Sequence, residues 1–242
     1  MVDLNNNLIQ TCTCGNDHDF SHDTMHDIPV LVCGNCGVIH QYLPDWSHDK
    51  LDEWYRKHYH SDVQEAIGHQ AYHARYENDK KVAMIRLDAY QDLIKENMTG
   101  LDIGSSNSAF VHACRERGIN CWGIEPGESI GDDSVTIRTT IEDCDLDLCS
   151  QDFITMHDSL EHIVDVNSTL KKVQQFLKPQ GILIVDIPDY FVESGLHHWR
   201  IVQHLWFWNQ EQMTQLFSIH GLAVFKVTRP IPGKIVFYCE KK

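Results

Sequence analysis

Long apolar runs are missing from this 242-residue sequence. Nothing in it approaches the roughly 18 consecutive apolar residues of a membrane-crossing helix, so it is not read as integral to a bilayer. The first ten residues, "MVDLNNNLIQ", are neither basic nor apolar enough for a secretory signal, which makes the cytoplasm the expected location. Positive charge is scarce as well: 20 Lys and Arg stand against 35 Asp and Glu, for a net charge of −15. Nucleic-acid binders draw most of their affinity from cations laid along phosphates, and here only short pairs such as Lys80-Lys81 and Lys171-Lys172 occur. The sixteen histidines soften that balance near pH 6. Internal repeats and low-complexity stretches are absent too.

What is present is an ordinary globular composition, 42% hydrophobic and 23% charged, in a chain long enough for one full core and a small extra module. Three segments stand out. Residues 1–45 are polar, His- and Asp-rich and poor in core formers; Val30–Val32 is their one strand candidate, and a lobe of that kind cannot hold itself together by burial. Residues 46–97 are helical in pattern, with Val82, Ile85, Leu87, Leu93 and Ile94 near one face. From 98 to 242, strand candidates Gly100–Gly104, Cys121–Glu125, Asp152–His157 and Ile182–Ile187 alternate with helix candidates Ser108–Arg117, Val166–Leu177 and Gln210–His220. That alternation predicts an α/β fold, a doubly wound, mostly parallel sheet covered on both faces. Asn209 with Gln212 marks the start of the last helix, and Gly221 its end. The final two strand candidates, Leu222–Val227 and Lys234–Cys239, are joined only by a short "TRPIPG" link. No parallel crossover fits there, so the sheet is expected to close with an antiparallel hairpin.

The stretch "LDIGSSNSAF" (101–110) has the form of a nucleotide loop, an acid-bearing strand turning at a glycine into a helix, yet it keeps a single glycine where such loops usually carry three. In a doubly wound sheet, ligands sit at the carboxyl ends of the strands where the strand order reverses. The next strand candidate ends in "WGIEPG", placing Glu125 about twenty residues on, where an acid reaches the two ribose hydroxyls of a nucleoside cofactor. "TIEDC" (140–144) then offers Ile141 for the face of an adenine and Glu142 or Asp143 for its amino group.

Nine cysteines in a chain read as cytoplasmic are thiols or metal ligands rather than a disulfide framework. Cys12, Cys14, Cys33 and Cys36 form two close pairs in the first segment and read as a structural four-thiolate zinc site, whose ion would supply the folding energy the lobe lacks. The first pair has one intervening residue where two is commoner, so His18, His22 or His26 could stand in for Cys12 or Cys14. Cys144 and Cys149 also have ligand-like spacing, but "CDLDLC" reads as a loop without metal.

"LDIG", "GIEPG", "DFITMHDSLEHI" and "LKPQGILIVDIP" follow one another in the order and spacing of the class I S-adenosylmethionine-dependent methyltransferases, which the chain resembles over residues 98–240. The closest likeness is to the branch that acts on sugars and other small metabolites, some members of which carry an N-terminal zinc lobe. The resemblance implies a Rossmann-like domain over 98–242 that binds S-adenosylmethionine. Asp102, Gly104, Ser105, Ser106 and Asn107 would hold its methionine end, Glu125 the ribose, Ile141 and Glu142 the adenine, and His157 would lie beside it. Ser106 and Ser108 stand where many members have glycine; a donor without phosphate relaxes that need. His204 in "QHLWFW" matches a histidine of the family that faces the substrate and is the first candidate for general base; His162 in "SLEHI" is the second. In many relatives the Glu-His pair matching Glu161-His162 is mainly architectural; help in binding a divalent ion is the other reading and is not adopted. Tyr72 and Tyr76 could reach the acceptor from the helical segment. The implied reaction is methyl transfer to a small-molecule acceptor, a sugar or nucleotide-sugar. An RNA-modifying methyltransferase and a non-catalytic scaffold of the same fold are the alternatives, and the sequence leaves the oligomeric state open.

Overall fold

The structure is a computed structural model describing residues 7–57, 72–128 and 130–242; the side chains of Tyr72 and His73 are outside the description. The six strand candidates of the larger segment, with one further short strand, form a seven-stranded sheet. It comprises β4 (Thr99–Ile103), β5 (Asn120–Ile124), β6 (Thr136–Ile137), β7 (Gln151–His157), β8 (Leu177–Pro188), β10 (Leu222–Thr228) and β11 (Lys234–Lys241), in the order β10-β11-β8-β7-β4-β5-β6. β4, β5, β6, β7 and β8 pair parallel, whereas β11 is antiparallel to both β8 and β10. The expected closing hairpin is therefore present. The chain leaves β4 toward β5 and β6, then returns to lay β7 on the other side of β4, so the strand order reverses at the carboxyl end of β4. That position is where such sheets bind ligands.

Strand residues alternate between two cores, as the pleat requires. Leu183 and Val185 face one and Ile182 and Ile184 the other. Helices α2 (Tyr72–Ala89) and α3 (Ala109–Glu116) cover one face; α4 (Val166–Phe176) and α5 (Gln210–Ile219) cover the other. Helix α5 starts with the reciprocal cap expected, Gln212 N–H donating to Asn209 Oδ1 at 2.9 Å and Asn209 N–H to Gln212 Oε1 at 3.0 Å.

The buried stripe of α2 differs from the one read in the sequence. Ala83, Leu87, Tyr90 and Ile94 are buried in or just beyond it, while Val82 is 38% and Ile85 67% exposed. Counting branched aliphatics misplaced the stripe by a fraction of a turn, because a small residue and a tyrosine complete it. The rest of the 46–97 segment is a helix α1 (His48–Lys57) and residues 58–71, which lie outside the described part.

The N-terminal lobe is a small antiparallel sheet of β1 (Phe20–Met25), β2 (Ile28–Cys33) and β3 (Ile39–Gln41). Its fourth strand, β9 (Trp206–Phe207), comes from the far end of the chain and pairs with β3. The Gln41 side chain fastens the same seam. Its amide donates to the carbonyls of Arg200 (2.5 Å) and His204 (2.6 Å), and its oxygen accepts from Val202 N–H (2.8 Å). The lobe's sheet is thus completed by residues from the larger segment. No described helix is long and apolar enough to cross a membrane.

Candidate functional site

The turn after β4 keeps the geometry of a glycine loop with serines in place of two glycines. Gly104 has φ +76°, and a Cβ there would lie 2.7 Å from the Cβ of Ser159. Ser106 (φ 48°) and Ser108 (φ 62°) also occupy the left-handed region, which usually falls to glycine. Local bonds hold them there. Gly104 and Ser105 N–H both donate to Ile124 O; Ser108 Oγ bonds Thr136 Oγ1 at 2.8 Å and accepts from Asp132 N–H at 2.9 Å. Glu125, buried at the carboxyl end of β5, accepts from Ser106 N–H (2.9 Å) and Gly127 N–H (2.8 Å). Loop and carboxylate form one unit. The hydroxyls of Ser105, Ser106 and Ser159 are buried with no hydrogen-bond partner, in a protein interior where such groups are normally satisfied.

The other predicted donor-site residues take several positions around the loop. Asp102 lies beneath the loop, accepting from Thr155 Oγ1 (2.7 Å), with His157 Nδ1 3.3 Å away. His157 is turned inward as well, 3.3 Å from Tyr90 Oη and packed on Phe110, and burial lowers its pKa. Both support the loop from below. Asn107 Nδ2 donates to Asp79 Oδ2 at 2.8 Å, tying the turn to α2. Ile141 is buried with Leu101 and Ile124, whereas Glu142 accepts from Thr169 Oγ1 on α4. Tyr76 Oη bonds His112 Nδ1 at 2.7 Å, and His112 Nε2 lies 3.1 Å from Asp132. These three line a cavity of about 350 Å³ with Asn107 and Gly131. Tyr72's side chain lies outside the described residues.

On the other side of the Ser159 turn, His162 and His204 converge with their rings 4.9 Å apart at 80°. Glu161 joins them, each of the three offering a ligating atom within 4.8 Å of the others. Tyr190 Oη bonds His204 Nδ1 at 3.0 Å; His162 Nδ1 bonds Gln203 O and lies 3.1 Å from Tyr55 Oη. Burial, then the nearby His162, His198 and Arg200, hold His204 well below the usual histidine pKa. Burial pushes Glu161 up to about 8. Tyr190 and Ser159 had no mark in the sequence; only proximity in the fold singles them out, and it picks Tyr55 from an aromatic-rich stretch.

In the lobe, the four predicted cysteines converge. Cys12 and Cys36 Sγ are 3.5 Å apart, Cys14 and Cys33 3.7 Å, and all four lie within 4.8 Å of one another. A tetrahedral ion with bonds of about 2.3 Å needs edges of roughly 3.8 Å, so the thiols fit zinc. Asn16 and Asn35 amides donate to Cys33 and Cys14 sulfur, as groups orienting thiolate ligands do. His18, His22 and His26 are not in this cluster: His18 pairs with Asp17, and the rings of His22 and His26 meet Tyr42 and Trp199.

The sequence profile of the family described as a methyltransferase domain matches residues 70–227. No curated protein matches the chain. Among solved structures, a SAM-dependent methyltransferase from Archaeoglobus fulgidus superposes with a TM-score of 0.61 at 14% identity, covering 76% of this chain and 100% of that one. A SAM-dependent methyltransferase from Thermotoga maritima gives 0.57 at 22% identity, over 70% and 95%. The 1,6-didemethyltoxoflavin-N1-methyltransferase of Burkholderia thailandensis, solved with 1,6-didemethyltoxoflavin and S-adenosylhomocysteine, gives 0.57 at 11% identity, over 93% and 100%. At these identities the likeness is one of fold.

Proposed function

This chain belongs to the family of methyltransferase domains, and from that premise we propose that it transfers a methyl group from S-adenosylmethionine to a small polar acceptor, a sugar or nucleotide-sugar being the class favoured. The observation that carries the donor assignment is the joined loop and carboxylate at the sheet's switch point, with three buried hydroxyls beside it that have no partner. A carboxylate offers about four acceptor directions; the two backbone bonds orient Glu125, and a vicinal diol is the complementary donor pair. The hydroxyls of Ser105, Ser106 and Ser159 suit the donor's amino-acid end. Ile141 would border the adenine. Glu142, held by Thr169, and His157, beneath the loop, would act as supports rather than contacts.

When bound, S-adenosylmethionine supplies an electrophilic methyl on sulfonium; the S–C bond breaks with its electron pair left on sulfur as the bond to the acceptor forms. The protein's part is to hold the two in line in a dry site and to remove the acceptor's proton. That proton leaves at the Glu161–His162–His204 cluster, where His204 as the base is the simplest arrangement. Its depressed pKa keeps it neutral at pH 7 and so able to accept, though as a weak base. The net charge of −15 favours a small acceptor over RNA. The zinc site would be structural, since four thiolates leave no open position.

Titration calorimetry with S-adenosylmethionine tests the reading: saturable binding is expected. Glu125→Ala should weaken it by about 1–3 kcal/mol through lost hydrogen bonds to the ribose. Absence of heat at millimolar donor would mean a fold retained without the chemistry.

A further inference from the structure

We infer that Glu161, His162 and His204 bind a divalent first-row transition-metal ion beside the donor loop, a site separate from the cysteine cluster. Glu161 is fully buried, and neither of its carboxylate oxygens has a hydrogen-bond partner. A proton does not resolve this, because a neutral carboxyl would still leave an O–H with nothing to donate to and a carbonyl with no donor. A cation satisfies both oxygens, and two imidazoles stand against them.

The histidines are oriented as ligands are. His204 Nδ1 is bonded to the Tyr190 hydroxyl, and His162 Nδ1 to the Gln203 carbonyl. Such outer bonds fix the ring and make Nε2 the coordinating nitrogen. Tyr55 Oη also donates to Gln203 O at 3.0 Å, so the outer shell is itself tied to α1. The three ligating atoms lie within 4.8 Å of one another; coordination at about 2.1 Å would draw them to roughly 3–3.5 Å, a matter of side-chain rotation. Two imidazoles and one carboxylate suit Zn²⁺, Fe²⁺, Mn²⁺ or Co²⁺. Three protein ligands leave positions open for a water or an acceptor oxygen.

The site deepens the methyl-transfer reading and rests on it only for its role. An acceptor hydroxyl placed on the ion loses its proton near neutral pH. In the ion-bound enzyme His204 is a ligand, and the proton passes to solvent.

The test is a Mn²⁺ titration of the zinc-loaded, full-length protein followed by electron paramagnetic resonance, with Co²⁺ absorption as a second probe. One saturable Mn²⁺ per chain is expected, and a Co²⁺ spectrum without thiolate charge-transfer bands. Glu161→Gln, close in shape to the original, and His204→Gln should each weaken binding by roughly tenfold or more. Glu125→Ala should leave Mn²⁺ affinity unchanged while weakening the donor. No saturable Mn²⁺ or Co²⁺ below millimolar concentration, Co²⁺ bound through thiolates alone, or unchanged affinity in Glu161→Gln would each overturn the inference. Should a variant fail to fold, the wild-type titration and its cobalt spectrum decide. A protein that binds the donor but takes up no Mn²⁺ or Co²⁺ would sink this site and spare the methyl transfer; one that binds the ion but no donor would do the reverse.

Discussion

At the scale of single residues, unsatisfied groups carry most of the information. Ser105, Ser106 and Ser159 hydroxyls at the loop, both oxygens of Glu161, and His40 Nε2 are buried without partners, and the first two sets are the ones the proposed donor and ion would satisfy. His40 is a different case. It is buried in the lobe's sheet between Phe20 and Trp206, its Nδ1 bonded to its neighbour's carbonyl. Burial lowers its pKa from 6.5 to about 4. Below pH 6.5 the unfolded chain takes up a proton that the folded one refuses, so this residue makes stability fall as pH drops from 6.5 toward 4. The full span is worth about 3 kcal/mol. Urea unfolding between pH 7 and 4.5 should show the wild type losing more stability than His40→Phe, in which no group titrates there; parallel losses would exclude His40. Glu125 and Asp102 show how far a residue's type goes in sequence. Both are acids at strand ends, but Glu125 reaches the switch point and Asp102 is spent on Thr155 and His157 beneath it. Only the direction of each side chain separates them.

Among the elements, α2 is the instructive case. Its helical period was legible, and its direction was not, because Ala83 and Tyr90 complete the buried stripe that Leu87 begins. Arg86 Nη2 reaches Asp186 on β8 at 2.7 Å from the same face, fixing the helix against the sheet. Leu87→Ala should therefore cost about 2–5 kcal/mol in chemical denaturation. Ile85→Ala should stay within about 0.5 kcal/mol, since exposed substitutions rarely do more. Equal costs at the two positions would mean that the helix packs the way the sequence suggested. The two short strands β6 and β9 had no legible signal at all. With two residues each, they have no period to detect and exist only because a neighbouring strand edge is in reach.

For the molecule as a whole, the join between lobe and sheet matters most. Cysteines near the N-terminus fix the knuckles, the knuckles position β3, and β3 pairs with β9 next to His204. Gln41 bonds the carbonyls of Arg200 and His204 across the same seam. Zinc would then hold the acceptor wall as well as the lobe. Chelating it should lower stability by several kcal/mol and abolish turnover while donor affinity persists, because the Ser106–Glu125 unit belongs to the other sheet. Calorimetry with S-adenosylmethionine before and after chelation, alongside an unfolding curve, checks this; simultaneous loss of donor binding would mean the two halves are not separable.

What the sequence determined by itself was the strand and helix alternation, the closing hairpin, the four cysteines and the Gly104-to-Glu125 spacing. Each is encoded locally, in a period, a cap or a short interval along the chain. Tertiary structure alone decided that β9 completes the lobe, that His157 packs beneath the loop and Glu142 against Thr169, and that Glu161, His162 and His204 meet in one cluster. Those outcomes depend on contacts between segments far apart in the chain. There, the direction in which a side chain leaves its backbone, and the partner waiting for it, are set by packing that no local pattern records.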